Sequence, residues 1–345
     1  MIKRFILTIF SFLCWTATAS AQFDFAQNEP DGARYIGGPR LGESHIQIWR
    51  TGIILEPGSS IDNFQVAVPV PLNWHEQRII SINEEKMDAN LASRIEYRHH
   101  GGAMEMYLHL GKVRPMQPME IVVAFEVQNY ELLPPDNPRQ YVIPKRVPPD
   151  IAPYLRPSPK IESNEPVFTK MYADITKDRK TDWDKVEALY SFVQNNVKYN
   201  HVPWNPRAKG ALAVTKMQKG GWTGDCKDMS CLFVALCRAG KIPARIVRVP
   251  DHCYAEFYLE LKPDARTSNN RGTIPPGFWF PCQVSGTYAF GGIPEKRVIL
   301  QKGDSFPDAD NPRVKNLFLR PYYEGTLEPG SPPPQEKWIQ EAVLK

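Results

Sequence analysis

Cys226 stands in the stretch Gly224-Asp225-Cys226-Lys227-Asp228-Met229-Ser230, at the head of a segment whose apolar residues Met229, Leu232, Phe233 and Leu236 repeat at helical spacing. Asp225, directly ahead of it, is a residue type that caps helix starts by accepting backbone N–H groups. A cysteine on a first turn meets unpaired N–H groups and the positive end of the helix dipole, and both favour the thiolate. A thiol at neutral pH is mostly protonated, so its use as a nucleophile needs a nearby base and a third group that holds the base's tautomer. His252 and Gln283 are placed for those two roles. The chemistry this implies is acyl transfer. Cys226 attacks an amide or ester carbonyl, His252 takes and returns the proton, and water or an amine resolves the thioester. Two donors are candidates for the oxyanion: the backbone N–H of Cys226, because helix-start amides point at a developing negative charge, and the indole N–H of Trp222, which is otherwise a wall of the cleft.

These residues need two strands to bring them together. His252 opens the apolar run His252 to Leu261, and Phe278 to Gln283 is the next one. Side chains alternate along a strand, so antiparallel pairing with His252 opposite Gln283 puts both on one face. The same register sets Cys253 opposite Cys282 on the other face, within disulfide reach. Glu256 shares the face of His252 but lies about 13 Å along the strand, which suits an ion pair better than catalysis. His201 is a rival base that nothing fixes near Cys226. No metal and no cofactor are expected. Along a helix, Cys226, Cys231 and Cys237 point about 120–140° apart or lie about 16 Å apart, and no CxxC pair is present. Asp304, Asp308, Asp310 and Asn311 lack the grammar of a calcium loop and read as a turn.

Around this centre the chain reads as α+β, with strands first and a mixed helix-then-strand region after. The alternating sets His45 to Leu55, Phe64 to Val70, Met104 to Leu110 and Ile121 to Val127 predict an N-terminal β-sandwich over residues 22–132. His99 and His100 followed by two glycines read as a strand end and turn. Ten prolines from Pro134 to Pro166 predict an extended connector over 133–163, laid on the surface. Helices over 165–177 and 181–199 precede the cysteine helix, which stops at Gly240. Strands over 244–249, 252–261, 278–283 and 296–301 follow, and the catalytic unit spans 164–325. Residues 326–345 read as a tail without an assigned role.

Lys3 and Arg4, the apolar run Phe5 to Trp15 and the small residues Ala19-Ser20-Ala21 have the order of a secretory signal over residues 1–21. That run is too short to span a bilayer, and no later segment reads as a membrane anchor. The expected location is secreted or periplasmic. Cleavage would remove two basic residues and take the formal charge from +4 to +2. Without a basic excess or a Lys/Arg stripe among aromatics, nucleic acid is not an expected partner. Five cysteines would remain, an odd number that leaves at least one thiol without an internal partner.

The motif Gly224-Asp225-Cys226-Lys227-Asp228, with the following Leu232 to Arg245 run, resembles the nucleophile region of the transglutaminase-like superfamily. His252 to Leu259 is similar to that family's histidine strand, usually His-Ala-Trp-x-Glu, and Trp279 to Gln283 to its Trp-x-Pro-x-Asp strand. The resemblance covers roughly residues 165–301. It implies a papain-like Cys-His-Asp core of helices packed on an antiparallel sheet, in which Cys226 and His252 match residue for residue. The third position departs: Gln283 stands where the family carries Asp. An amide oxygen can accept the proton on histidine Nδ1, but it lacks the charge that stabilises imidazolium. The resemblance implies an exported cysteine enzyme acting on amide or peptide bonds of a protein or peptide substrate, with hydrolysis the first choice. The alternative is a cell-envelope binding module that keeps the fold without turnover.

Overall fold

Alternating apolar residues build two facing sheets in the first part of the chain, seen here in a computed structural model that describes residues 37–344 apart from 57–59, 87–93, 114–117, 206, 217–220, 267–276, 310 and 328. The signal-like segment lies outside the described residues. Strands β1 (Arg40–Leu55), β6 (Met119–Leu133) and β3 (Gln77–Lys86) form one antiparallel sheet, and β2 (Ile61–Val70), β5 (Met104–Val113) and β4 (Arg94–His99) the other. Trp49, Ile53, Val123 and Phe125 from the first interlock with Phe64, Val66, Met106 and Leu108 from the second in one buried core. Sequence patterning missed β3 and β4. Both are edge strands with charged and polar faces, the composition that keeps an edge from pairing with another chain.

The proline-rich segment departs from the surface connector expected of it. Its strand β7 (Tyr141–Val142) pairs with Glu260 and Leu261 in the sheet of the second unit, and the Tyr141 ring is buried 4.7 Å from Phe280 and 6.2 Å from Trp183. Proline forbids long ladders, but it does not stop a two-residue pairing or the burial of an aromatic ring between prolines.

The second unit has α1 (Pro166–Thr176), α2 (Asp182–Asn196), β8 (Val197–Tyr199), α3 (Ala211–Thr215), β9 (Trp222–Gly224) and α4 (Cys226–Ala239). After these come β10 (Ala244–Val249), β11 (His252–Leu261), β12 (Gly277–Cys282) and β13 (Gln301–Lys302), with sheet order β12-β11-β10-β13. Helix α4 is buried along nearly its whole length between the other helices and this sheet, as its apolar face predicts. The expected strand over 296–301 contributes only its end to the ladder. Val298 and Leu300 instead enter the core of the sandwich, so their apolar character reports burial between the two units.

The last residues are not a tail. After a small hairpin of β14 (Phe306–Pro307) and β15 (Lys315–Asn316), strand β16 (Tyr322–Leu327) pairs with β2, and β17 (Glu336–Leu344) pairs with β1 over nine register positions. The C-terminus therefore completes both sheets of the sandwich, and the expected boundary at 325 falls inside β16. A buried ionic cluster ties the two units together. Lys302 Nζ donates to Glu76 at 2.5 Å and to Glu256 at 2.7 Å, and Arg245 donates to the other oxygen of Glu256 at 2.7 Å. Glu256 is thus the structural ion-pair residue the sequence suggests.

Candidate active site

Helix α4 begins where Asp225 accepts the N–H groups of Lys227 and Asp228 at 2.9 and 3.2 Å, while Asp228 reaches back to the Asp225 N–H in a reciprocal capping box. The Cys226 N–H is the first-turn donor that Asp225 does not use, as an oxyanion donor must be. Gly224 is required by this packing, since a Cβ there would lie 2.8 Å from the Asp228 Cβ. Asp228 also accepts the N–H of Lys209 at 2.7 Å, which ties the loop before α3 to the start of α4. The other end of the helix closes in a Schellman arrangement, with Ile242 N donating to Cys237 O and Lys241 N to Arg238 O. The left-handed residue there is Lys241, at φ 62°, and not Gly240. Gly240 is needed for space: a Cβ would sit 2.1 Å from the Tyr172 ring.

The hairpin from β10 to β11 turns through Pro250 and Asp251, the latter at φ 56°, and pairs Val249 with His252. Proline followed by a left-handed residue is the backbone pattern of a type II turn. His252 is therefore the first residue of its strand, at the sheet end that meets the start of α4. Its Nε2 lies 3.0 Å from Gln283 Oε1. Gln283 is itself fixed: its N–H donates to Ala289 O at 2.8 Å, and its carbonyl accepts from Gln194 Nε2 at 3.2 Å.

Two details correct the sequence reading. The β11–β12 register pairs Ala255 with Cys282, two residues away from the register expected. A two-residue slip preserves the faces, so His252 still meets Gln283, now diagonally across the strands. Cys253 and Cys282 lose their opposition, and both are free thiols, as are Cys226, Cys231 and Cys237. The proposed disulfide is therefore absent. The second correction concerns the imidazole. Gln283 holds Nε2, not Nδ1, and because its partner is an amide oxygen, Nε2 carries the hydrogen and Nδ1 is the free acceptor.

Cys226 is 4% exposed, and its thiol is lowered to about 5. The leading cause is a hydrogen bond from the Cys253 thiol. Burial works against the shift, and the hydrogen bond and charge of His252 add to it. Burial and the same sulfur contact push Cys253 well above the usual thiol range, so it stays protonated and donates. Lys227 is buried beside Cys226, 2.6 Å from Asp225 and 4.8 Å above the Trp204 ring.

A groove of about 570 Å³ adjoins the site through residues neighbouring Cys226 and Gln283 and not through those two themselves; Gln194, Asn195, Tyr199, Trp222, Met229 and Val284 line it. Trp222 packs its edge on Phe192 at 5.9 Å and forms part of the wall. His201 is exposed, 6.4 Å from the Tyr199 ring, whereas the imidazole in contact with Cys226 is that of His252. The acidic turn is a local hydrogen-bonded structure in which Asp308 accepts from Asn311 and Asn316, while Asp304 pairs with buried Arg238 at 2.6 Å. Asp310 lies outside the described residues. Sequence reasoning missed Cys253 as a neighbour of the nucleophile. Its signal was a thiol directly after His252, where the similar family usually has alanine.

Residues 169–283 match the family model of the transglutaminase-like superfamily. An uncharacterised protein of Haemophilus influenzae is 26% identical over 211 residues, which are 59% of this chain and 54% of that protein. The chain thus spans about half the length of this curated relative. Among solved structures, a candidate cysteine protease of Cytophaga hutchinsonii superposes with a TM-score of 0.54, over 88% of this chain and 92% of that one, at 18% identity. That likeness shows a shared fold. Motif order, local geometry and these matches agree, and the chain carries a core domain of the transglutaminase-like superfamily.

Proposed function

We propose that this protein is an exported cysteine enzyme that hydrolyses amide or peptide bonds in a protein or peptide of the cell envelope, through a thioester on Cys226. One observation carries the reading: the lowered thiol at a helix start lies beside an imidazole whose far nitrogen is pinned at 3.0 Å. The anionic sulfur attacks the carbonyl carbon, and the developing oxyanion meets the Cys226 N–H at the positive end of α4. His252 Nδ1, turned toward the sulfur because Gln283 holds Nε2, has taken the Cys226 proton in forming the thiolate–imidazolium pair and now gives it to the leaving amine. The same nitrogen then takes a proton from water, whose oxygen attacks the thioester and regenerates the thiolate. The amides of Gln194 and Asn195 suit hydrogen bonding to a peptide backbone, and Trp222 offers an apolar wall to a side chain.

The test is turnover of a panel of ester and amide substrates by the wild type, Cys226→Ala and His252→Ala. Hydrolysis lost in Cys226→Ala and strongly reduced in His252→Ala supports the proposal. Turnover that survives in Cys226→Ala refutes it. The neutral acceptor Gln283 favours one other reading, a module that binds without turnover. Silence of the wild type with activity gained in Gln283→Asp would establish that reading instead.

A further inference from the structure

Cys253 forms no bond to substrate in the acyl transfer just described, where its hydrogen bond only helps hold the Cys226 thiol low, yet it is aimed at the nucleophile. On β11 its side chain faces α4, where its sulfur lies 3.9 Å from Ser230 Oγ. Ser230 follows Cys226 by four residues and therefore shares its face of the helix. The Cys253 thiol thus sits over the ridge formed by Cys226 and Ser230, and both its S–H and its backbone N–H approach the Cys226 sulfur. Both thiols are free and buried. Two cations flank them. Lys227 adjoins Cys226, and Arg248 lies opposite Cys253 in the ladder, buried, with its Nε unpartnered and no carboxylate partner among the described residues. These cations favour the anion on Cys226, while burial keeps Cys253 as the protonated partner.

We propose that Cys226 and Cys253 are a dithiol switch, which hydroperoxides close to a disulfide and dithiols reopen. The Cys226 thiolate attacks the distal oxygen of the hydroperoxide. The O–O bond breaks, the alkoxide leaves and takes up a proton as an alcohol, and the Cys226 sulfur, oxidised by two electrons, becomes a sulfenic acid. The Cys253 sulfur then attacks that sulfur. The S–O bond breaks, and hydroxide departs as water with the Cys253 proton, leaving an S–S bond. Two thiols and one hydroperoxide give one disulfide, one alcohol and one water. The switch blocks the nucleophile and spares it from irreversible oxidation. It requires the thiolate of Cys226 but not acyl transfer.

The experiment treats the full chain and a Cys253→Ser variant, whose fold is checked by circular dichroism, with hydrogen peroxide, and reads thiols and masses after denaturing alkylation. The wild type is expected to lose two alkylatable thiols, yield a Cys226–Cys253 linked peptide and recover both thiols with dithiothreitol. Cys253→Ser is expected to accumulate sulfinic acid at Cys226, which a dithiol does not reverse. The proposal is overturned if the wild type accumulates that sulfinic acid as fast as the variant, or if the link joins other cysteines. A Cys226 that hydrolyses substrate but resists peroxide overturns the switch alone. A Cys226 inert to both peroxide and iodoacetamide removes the thiolate, and the proposed function with it.

Discussion

The rate at which iodoacetamide modifies Cys226 should follow a pH profile no ordinary cysteine shows. An unperturbed thiol ionises near pH 8.5, whereas Cys226 is lowered to about 5. At pH 6 Cys226 is then roughly 90% thiolate and a free cysteine peptide roughly 0.3%, an advantage of about 300-fold. A weaker base is also a weaker nucleophile: with a Brønsted coefficient of about 0.45, a drop of about 3.5 pK units costs roughly 40-fold. The net expectation at pH 6 is that Cys226 reacts roughly tenfold faster than the peptide. Near neutrality the two rates cross, and at pH 9 Cys226 is the slower by roughly 30-fold. Burial lowers the absolute rate at every pH alike, so the inflection is the robust readout. The assay is timed alkylation from pH 4 to 10, with Cys226 quantified by peptide mapping. A Cys226 profile that rises in parallel with the peptide between pH 7 and 9 would refute the reasoning.

Other outcomes follow from the same geometry. Gln283→Ala releases His252 Nε2 and should lower kcat/KM by about 10²–10⁴, as in other triads whose orienting group is changed, whereas Gln283→Asp keeps an acceptor and stays active. The Cys226 proton binds more weakly in the folded chain than in the unfolded one, so the stability this ionisation adds is full above pH 8.5 and is lost as pH falls through about 5. Urea unfolding midpoints of wild type relative to Cys226→Ser should therefore rise across that window. Glu256→Gln leaves Arg245 and Lys302 buried without their shared carboxylate and should cost about 3–5 kcal/mol in urea unfolding. Gly240→Ala drives a methyl into the Tyr172 ring and should cost about 1–3 kcal/mol, seen as a lower Tm.

Local signals were the legible ones. The bounds of β10 and β11 and the start of α4 follow from short-range cues: an Asp cap, a run of apolar residues, a proline turn. The pairing of Gln283 with His252 was readable because a side chain's face survives a two-residue slip of register, although the slip removed the expected Cys253–Cys282 opposition. What stayed hidden depends on distant partners. Strand β17 is a polar edge segment whose pairing with β1 spans most of the chain. Tyr141 is buried from within a stretch whose prolines point outward in any local reading. The Cys226–Cys253 contact arises only when helix and strand pack, and the one trace of it in the sequence is a thiol where a methyl is usual.

Acyl transfer through Cys226 requires a covalent acyl group on its sulfur. Incubation with an activated ester, acid quench within the first turnover and peptide mapping address it directly. The expected result is the acyl mass on the Cys226 peptide, absent in Cys226→Ala and persistent in His252→Ala, where the water step lacks its base. Hydrolysis that proceeds with no adduct on Cys226, or with the adduct on another residue, would contradict it.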